Sequence, residues 1–262
     1  MAPRAARPAA VQPAFVLHRY DWSETSLILD VFSRGWGRVT VAAKGAKRPY
    51  SQLRSVLLPF QRLQVSISKP RDGDTVDVHT LRSAEWAGGQ PMLSGAALFS
   101  GFYLNELLMK LLARDDPQPA LFDAYTATLP TLAAGGDVEQ AGLRAFELML
   151  LRELGVLPEL AATTADGAPV QPAAAYLLRA DAGVWRVQGG TEGGVSGATL
   201  LALDTALVHD DLGALQAACG AELPALRQQL RGLLHYHLGS PHLRSRQVML
   251  DVQRLLDRSA TR

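Results

Sequence analysis

Hydrophobic periodicity is absent from the first residues of the chain, where three prolines and five alanines predict a mobile tail over residues 1–13. From Ala14 the pattern turns to short strands. Phe15–Tyr20 and Leu27–Phe32 are rich in aromatic and branched residues, and Val39 and Val41 alternate with Arg38 and Thr40. Leu63, Val65 and Ile67 alternate with Arg62, Gln64, Ser66 and Ser68, and a turn at 69–74 precedes a fifth run, Thr75–Leu81. Between the second and third runs, Gly35 and Gly37 in the segment 33–37 permit a tight hairpin. Five short strands in such a length is the count of a small, partly open barrel of the OB type, expected over residues 14–86.

After Gly88 and Gly89 the period becomes helical. Residues 91–113 place Leu98, Phe102, Asn105, Met109 and Leu112 on one stripe, with further leucines beside it. A second helix is expected after Asp116-Pro117 and a third over Asp137–Leu154, with Asp137 and Gln140 as a capping box and Gly155 as the stop. Residues 156–198 read as irregular apart from a hairpin over Ala174–Val187. Leu223, Leu226, Leu230, Leu233 and Leu234 stripe a helix that ends at Gly239; Ser240 and Pro241 are expected to open a last one carrying Val248, Val252, Leu255 and Leu256. The expected fold is therefore α+β and two-domain: a five-stranded OB barrel, then a mainly α-helical domain over 88–258 with a small β-hairpin insertion.

Composition sharpens this picture in two places. At 262 residues and 48% hydrophobic content the chain is long enough for two cores, and its single cysteine, Cys219, excludes an intrachain disulfide and a thiolate zinc cluster. Cysteine usage therefore points to the cytoplasm, and no apolar run has the length or purity of a secretory or membrane-spanning segment. The formal net charge is only +1, yet residues 1–84 hold thirteen Lys/Arg against six Asp/Glu. From Val31 through Arg71 there is no carboxylate at all, while Arg34, Arg38, Lys44, Lys47, Arg48, Arg54, Arg62, Lys69 and Arg71 all fall there. Such a stretch suits a polyanion: phosphates demand distributed positive charge, and base faces demand flat stacking partners, here Trp36 and Tyr50. Trp36, at the hairpin tip, either meets bases or folds back onto the barrel.

Catalytic chemistry is poorly supplied. His235, His237 and His242 resemble a ligand cluster, but residues two apart on a helix point in different directions. His209-Asp210-Asp211 is similar to a metal-phosphohydrolase dyad without the further ligands that chemistry needs. The phosphate-loop and nucleophile-elbow patterns are missing, and Cys219 sits on an Ala- and Leu-rich helix where packing is its expected role.

Phe15–Arg19 followed by Ser23–Leu27, then Gly37-Arg38-Val39 and Ala42–Pro49, together with the closing Leu238–Arg246, resemble the signatures of the RecO family of bacterial DNA repair proteins. The resemblance runs in order over residues 14–256. It implies an amino-terminal OB-fold and a helical second domain. It also implies a protein without enzymatic activity or cofactor, associated with the nucleoid. Such a protein binds single- and double-stranded DNA, anneals complementary strands, and works with RecR to load RecA on DNA coated by single-strand-binding protein. The acidic, aromatic-ended tail of that coating protein would dock on the helical domain. An apolar pocket rimmed by cations is required, for which Arg144 with Arg152, or Arg227 with Arg231, are the candidates. One departure stands out: many members carry a four-cysteine zinc module, where this chain has Leu160–Gly167 with no cysteine. A metal-free version is expected, with the Ala174–Val187 hairpin taking over what zinc would staple. The competing readings are an OB-fold protein acting on RNA and, from a different class, a metal-dependent phosphohydrolase using His209 and Asp210.

Overall fold

The structure, a computed structural model, describes residues 11–68, 77–187, 193–239 and 242–260. The chain divides into two compact units, one of residues 1–92 with 112–122 and the other of 93–111 with 123–262.

The first unit is a closed barrel of strands β1 (Val11–Asp21), β2 (Leu27–Ser33), β3 (Gly37–Ala43), β4 (Leu63–Ile67) and β5 (His79–Trp86), hydrogen-bonded in the order β1-β2-β3-β5-β4 and back to β1. A short helix α1 (Leu53–Val56) stands between β3 and β4, and the β3–β5 pair alone is parallel. That is OB topology. Ala14, Val16, Leu29, Val31, Val39, Val41, Leu63, Val65 and Ile67 fill the barrel. They alternate with outward residues, as a two-residue period requires. The mobile tail expected over 1–13 is too long: Val11, Gln12 and Pro13 pair with Ser66, Val65 and Gln64, because closing the barrel needs a β1–β4 ladder that no local pattern announces. Residues 1–10 lie outside the described residues, as do 69–76. The fifth strand runs through His79–Trp86 rather than stopping at Leu81.

One outer part of the barrel is covered by residues 112–122. Phe15 and Phe32 each lie with ring centroids 5.4 Å from Phe122, and Asp115 N–H donates to the Arg38 carbonyl at 2.9 Å. Gly37 has φ of 71°, and a Cβ there would meet the Asp116 carbonyl oxygen at 2.0 Å, so a glycine is required for this approach.

The second unit contains helices α2 (Gly95–Leu111), α4 (Gly136–Glu153), α5 (Gly197–Val208), α6 (Leu212–Ala221), α7 (Leu223–Leu238) and α8 (Arg244–Ala260), with a sheet of β6 (Ala175–Arg179), β7 (Gly183–Arg186) and β8 (Val195–Ser196) in the order β7-β6-β8. Helix α3 (Pro119–Ala134) precedes α4. The central helix is α4, buried along most of its length from Glu139 to Leu151. Three local expectations change. The buried stripe of α2 is Ala97, Gly101, Leu104 and Leu108, whereas Phe102 is exposed, because leucines on several sides left the phase ambiguous. Gly135, not Asp137, occupies the N-cap of α4, so Asp137 lies in the first turn, where its charge complements the helix dipole. Residues 156–198 hold a three-stranded sheet rather than a lone hairpin, since Val195 and Ser196 pair with Tyr176 and Ala175. Gln229 of α7 ties this sheet down: its amide accepts from Leu178 N–H at 2.8 Å and donates to the carbonyls of Tyr176 and Gly193.

Where the zinc module would stand, residues 161–170 close on themselves by hydrogen bonds. Thr163 N–H donates to Ala168 at 2.9 Å, Val170 N–H to Ala161 at 2.8 Å, and Asp166 accepts from the Thr163 hydroxyl and Ala168 N–H. Thr164 then exchanges two bonds with Val184 of the hairpin, at 3.0 and 2.9 Å. The hairpin and this loop are tied to each other by these hydrogen bonds.

Helix α8 starts at Arg244, three residues beyond the expected Pro241; Ser240 and Pro241 lie outside the described residues. Its first N–H groups are capped from another helix. The Glu106 carboxylate of α2 accepts from the backbone of Arg244 and Ser245, both at 2.9 Å, and from the Ser245 hydroxyl at 2.7 Å, with Lys110 at 3.2 Å. Burial alone would raise this carboxyl, but the bonds from Ser245, Arg244 and Lys110 outweigh it and hold the group below its ordinary 4.5. A depressed carboxyl stabilises the fold fully above its unfolded pKa and loses that contribution as pH falls through the folded one. Glu106→Ala is therefore expected to cost about 2 kcal/mol at neutral pH. Urea unfolding at several pH values should show that difference shrinking once the pH drops below about 4.

Candidate nucleic-acid interface and a cationic cavity

The barrel separates residues that are neighbours in sequence. Arg34 and Trp36 sit at the β2–β3 turn, Lys44 and its followers at the other end of β3, seven residues away. At ~3.4 Å per residue these ends stand about 20 Å apart, so the acid-free stretch is not one patch. At the turn end Trp36 is half-buried against the barrel core, the folded-back alternative, and Asp115 and Asp116 lie close by. Arg38 is half-buried beside them. Arg62 is also half-buried on the approach to β4, and Lys69 and Arg71 lie outside the described residues.

The other end carries the cations outward. Residues 44–57 plug the barrel: Ala46 and Leu57 are fully buried, and Leu53 and Val56 pack against the same core. Anchored in this way, the segment exposes Lys44, Arg48, Arg54 and Tyr50, the last 98% exposed. None of the three cations forms an ion pair among the described residues. Lys47 is different. Its ammonium pairs with Asp21 at 3.0 Å and donates to the Ser23 carbonyl at 3.1 Å, while its backbone N–H donates to Thr25 at 3.0 Å. It laces the basic segment to the β1–β2 loop, which in an OB barrel is one of the loops that meets an oligonucleotide. Next to that loop stand residues the basic-stretch reading passed over: Arg19, His18, Tyr20 and Trp22 are all exposed. Their signal in the sequence is the alternation of aromatic rings along β1, which lies outside the acid-free basic stretch.

The second unit holds a cavity of about 120 Å³. Phe99, Tyr103, Leu143, Leu243 and Met249 give it apolar walls, and Arg144, Arg227, Arg231, Arg246 and His235 surround it. Arg144 is buried and pairs with Glu147 at 2.8 Å; Tyr103 donates to the same carboxylate at 2.6 Å. Burial pushes Glu147 up, against the pull of Arg144. Arg227, Arg231 and Arg246 have no carboxylate within salt-bridge distance among the described residues. Their crowding is visible in their neighbours: desolvation first, then the charges of Arg231 and Arg246, lower His235, and desolvation followed by Arg231 and Arg227 lowers Arg246. A group of cations, Arg227 and Arg231 exposed and Arg246 half-buried, beside apolar walls is complementary to an anion with an apolar body. Arg144, Arg227 and Arg231 thus meet at one site from two helices. Arg152 does not join them: it pairs with Asp210 at 2.7 Å and Glu153 at 3.0 Å and donates to Leu207.

His209, Asp210, Asp211 and Cys219 have structural roles. Asp210 is bound to Arg152, His209 Nδ1 lies 2.8 Å from the Thr205 carbonyl, and Asp211 caps α6 through Ala214 N–H. Burial pushes the Cys219 thiol up to about 12, leaving it a packed side chain. Among the described residues no group of three or more His, Cys, Asp and Glu is placed to hold a metal ion, and no helix is long and apolar enough to cross a membrane.

A closed OB barrel joined to a helical unit with a small antiparallel sheet defines a two-part architecture seen in DNA repair proteins of one kind. Residues 9–89 match the family described as Recombination protein O N terminal, and residues 92–247 match Recombination protein O C terminal. The chain is 50% identical over 246 residues to the DNA repair protein RecO of Polaromonas sp. (strain JS666), covering 93% of this chain and 97% of that one. It is 51% identical over 255 residues to DNA repair protein RecO of Verminephrobacter eiseniae (96% and 99% covered), and 52% over 247 to that of Polaromonas naphthalenivorans (93% and 97%). The chain belongs to the RecO family of DNA repair proteins.

Proposed function

We propose that this protein is a recombination mediator of the cytoplasm, without catalytic activity of its own: it binds single- and double-stranded DNA and anneals complementary strands. The observation that carries this reading is the plugged end of the barrel, where Lys44, Arg48, Arg54 and a fully solvated Tyr50 are exposed on a segment anchored in the core, the three cations forming no ion pair among the described residues. Distributed charge on a rigid support attracts the phosphate backbone without selecting a sequence, which is what annealing of arbitrary strands requires. In the second unit, the cavity ringed by Arg227, Arg231 and Arg246 suits the acidic, phenylalanine-ended tail of single-strand-binding protein. That contact would bring the protein to coated DNA, and RecR would join it there to load RecA. Annealing tests the proposal directly. Two dye-labelled complementary strands, each coated with single-strand-binding protein, should pair faster when the full chain is added, in the presence of chelator and without nucleotide. Pairing no faster than in its absence overturns the reading.

A further inference from the structure

Strand β1 carries an aromatic at every second position of its outer half: His18, Tyr20 and, one residue past the strand, Trp22. A bulge between Val16 and His18 shifts the register here, so that His18 faces Asp30 and Tyr20 faces Ile28 across the β1–β2 ladder. All three rings are exposed, Tyr20 at 45% and Trp22 at 60%. The rings of His18 and Tyr20 meet edge to face at 4.4 Å. Beneath them Asp30, itself buried, accepts from the Tyr20 hydroxyl at 3.2 Å and from the Thr40 hydroxyl at 3.3 Å, which fixes the tyrosine ring's direction. Large aromatic surface in water on a small barrel is unfavourable unless something covers it.

Charge says what covers it. Arg38 and Arg114 lie close enough to act on the Tyr20 hydroxyl, and the Trp22 loop is laced by Lys47 to the segment bearing Lys44 and Arg48. Alternate residues of a strand recur about every 6.8 Å, twice the ~3.4 Å rise per base of a stacked strand. A row of rings at that spacing meets bases that have come apart from one another, and a duplex cannot offer them. We infer that His18, Tyr20 and Trp22 form a stacking strip for the unstacked bases of single-stranded DNA, with Asp30 as the positioning residue beneath it. The inference rests on the DNA-binding reading above and adds to it where the bases lie.

Photo-crosslinking of the full wild-type chain to an iodouracil-substituted single strand, followed by peptide mapping, should place the crosslinks on Tyr20 or Trp22. Crosslinks confined to Trp36 or Tyr50 overturn the strip. In a second measurement, Tyr20→Ala with Trp22→Ala should weaken single-strand binding about 100-fold, each lost stack costing about 10-fold. Duplex binding should change less than about twofold, and the salt slope should stay as it was, because no phosphate contact is lost. Trp22→Phe keeps a ring and should bind as wild type does, whereas Tyr20→Phe keeps the ring but frees it from Asp30 and should weaken single-strand binding by less than Tyr20→Ala does. A double alanine variant that unfolds at the wild-type temperature yet keeps its single-strand affinity, or loses duplex affinity equally, overturns the inference. Wild-type protein that binds no DNA at all would instead remove the reading on which it rests.

Discussion

Replacing Lys44, Arg48 and Arg54 together by alanine is expected to weaken DNA binding about 100-fold at low salt, on single strands and duplexes alike. All three side chains are exposed and form no ion pair among the described residues, so their removal costs the fold nothing beyond solvated surface. Their effect on DNA is electrostatic. If four or five phosphates are neutralised in the wild type, log K on single strands falls with log salt with a slope near −3, at about −0.7 per phosphate. Losing three contacts should bring the slope to about −1. Lys47→Ala belongs to another class: its ammonium is already committed to Asp21 and the Ser23 carbonyl, so its loss should loosen the loop more than it flattens the slope. Fluorescence anisotropy of labelled oligonucleotides across a salt series separates the two, and an unchanged slope in the triple variant would remove these cations from the interface.

The second large effect concerns the cavity. An acidic peptide ending in phenylalanine is expected to bind the full chain, and Arg227→Glu with Arg231→Glu should reduce its affinity at least about 100-fold, as two charge-assisted contacts become repulsive. DNA affinity should fall far less, because neither arginine belongs to the barrel. Binding should weaken with added salt and strengthen as pH is lowered from 7.5 to 5.5. The sign follows from His235: desolvation and the arginine charges hold its pKa below 6.5, so it enters the complex largely neutral at pH 7.5. A bound carboxylate raises that pKa, and the proton taken up on binding makes low pH favourable. Calorimetry in buffers of different ionisation enthalpy would detect this uptake. Peptide affinity equal in the variant and the wild type would show that the cavity is not the docking site.

Most of the barrel and the helical succession could be read from periodicity, because alternation at two residues and stripes at 3.6 are local consequences of burying one face. Strands 27–32, 38–43 and 63–67 and the helices around 137–154 and 223–238 lie where those periods put them. The basic character of residues 31–71 was equally plain, since charge needs no fold to be counted. Long-range pairing was not legible. Residues 11–13 became strand only because the barrel must close on β4, and α8 starts at Arg244 because Glu106, far back in the chain, caps it there. The same holds for the sites. Sequence put Arg34, Trp36, Lys44 and Arg48 in one stretch, and a strand about 20 Å long carried the first pair to the opposite end of the barrel. It offered Arg144 with Arg152 as one pair and Arg227 with Arg231 as another. Tertiary packing of α4 against α7 brought Arg144, Arg227 and Arg231 around one cavity and gave Arg152 to Asp210. Periodicity is set by each residue's own neighbours along the chain, whereas the direction of a charge or a ring is set by which distant backbone closes the space behind it.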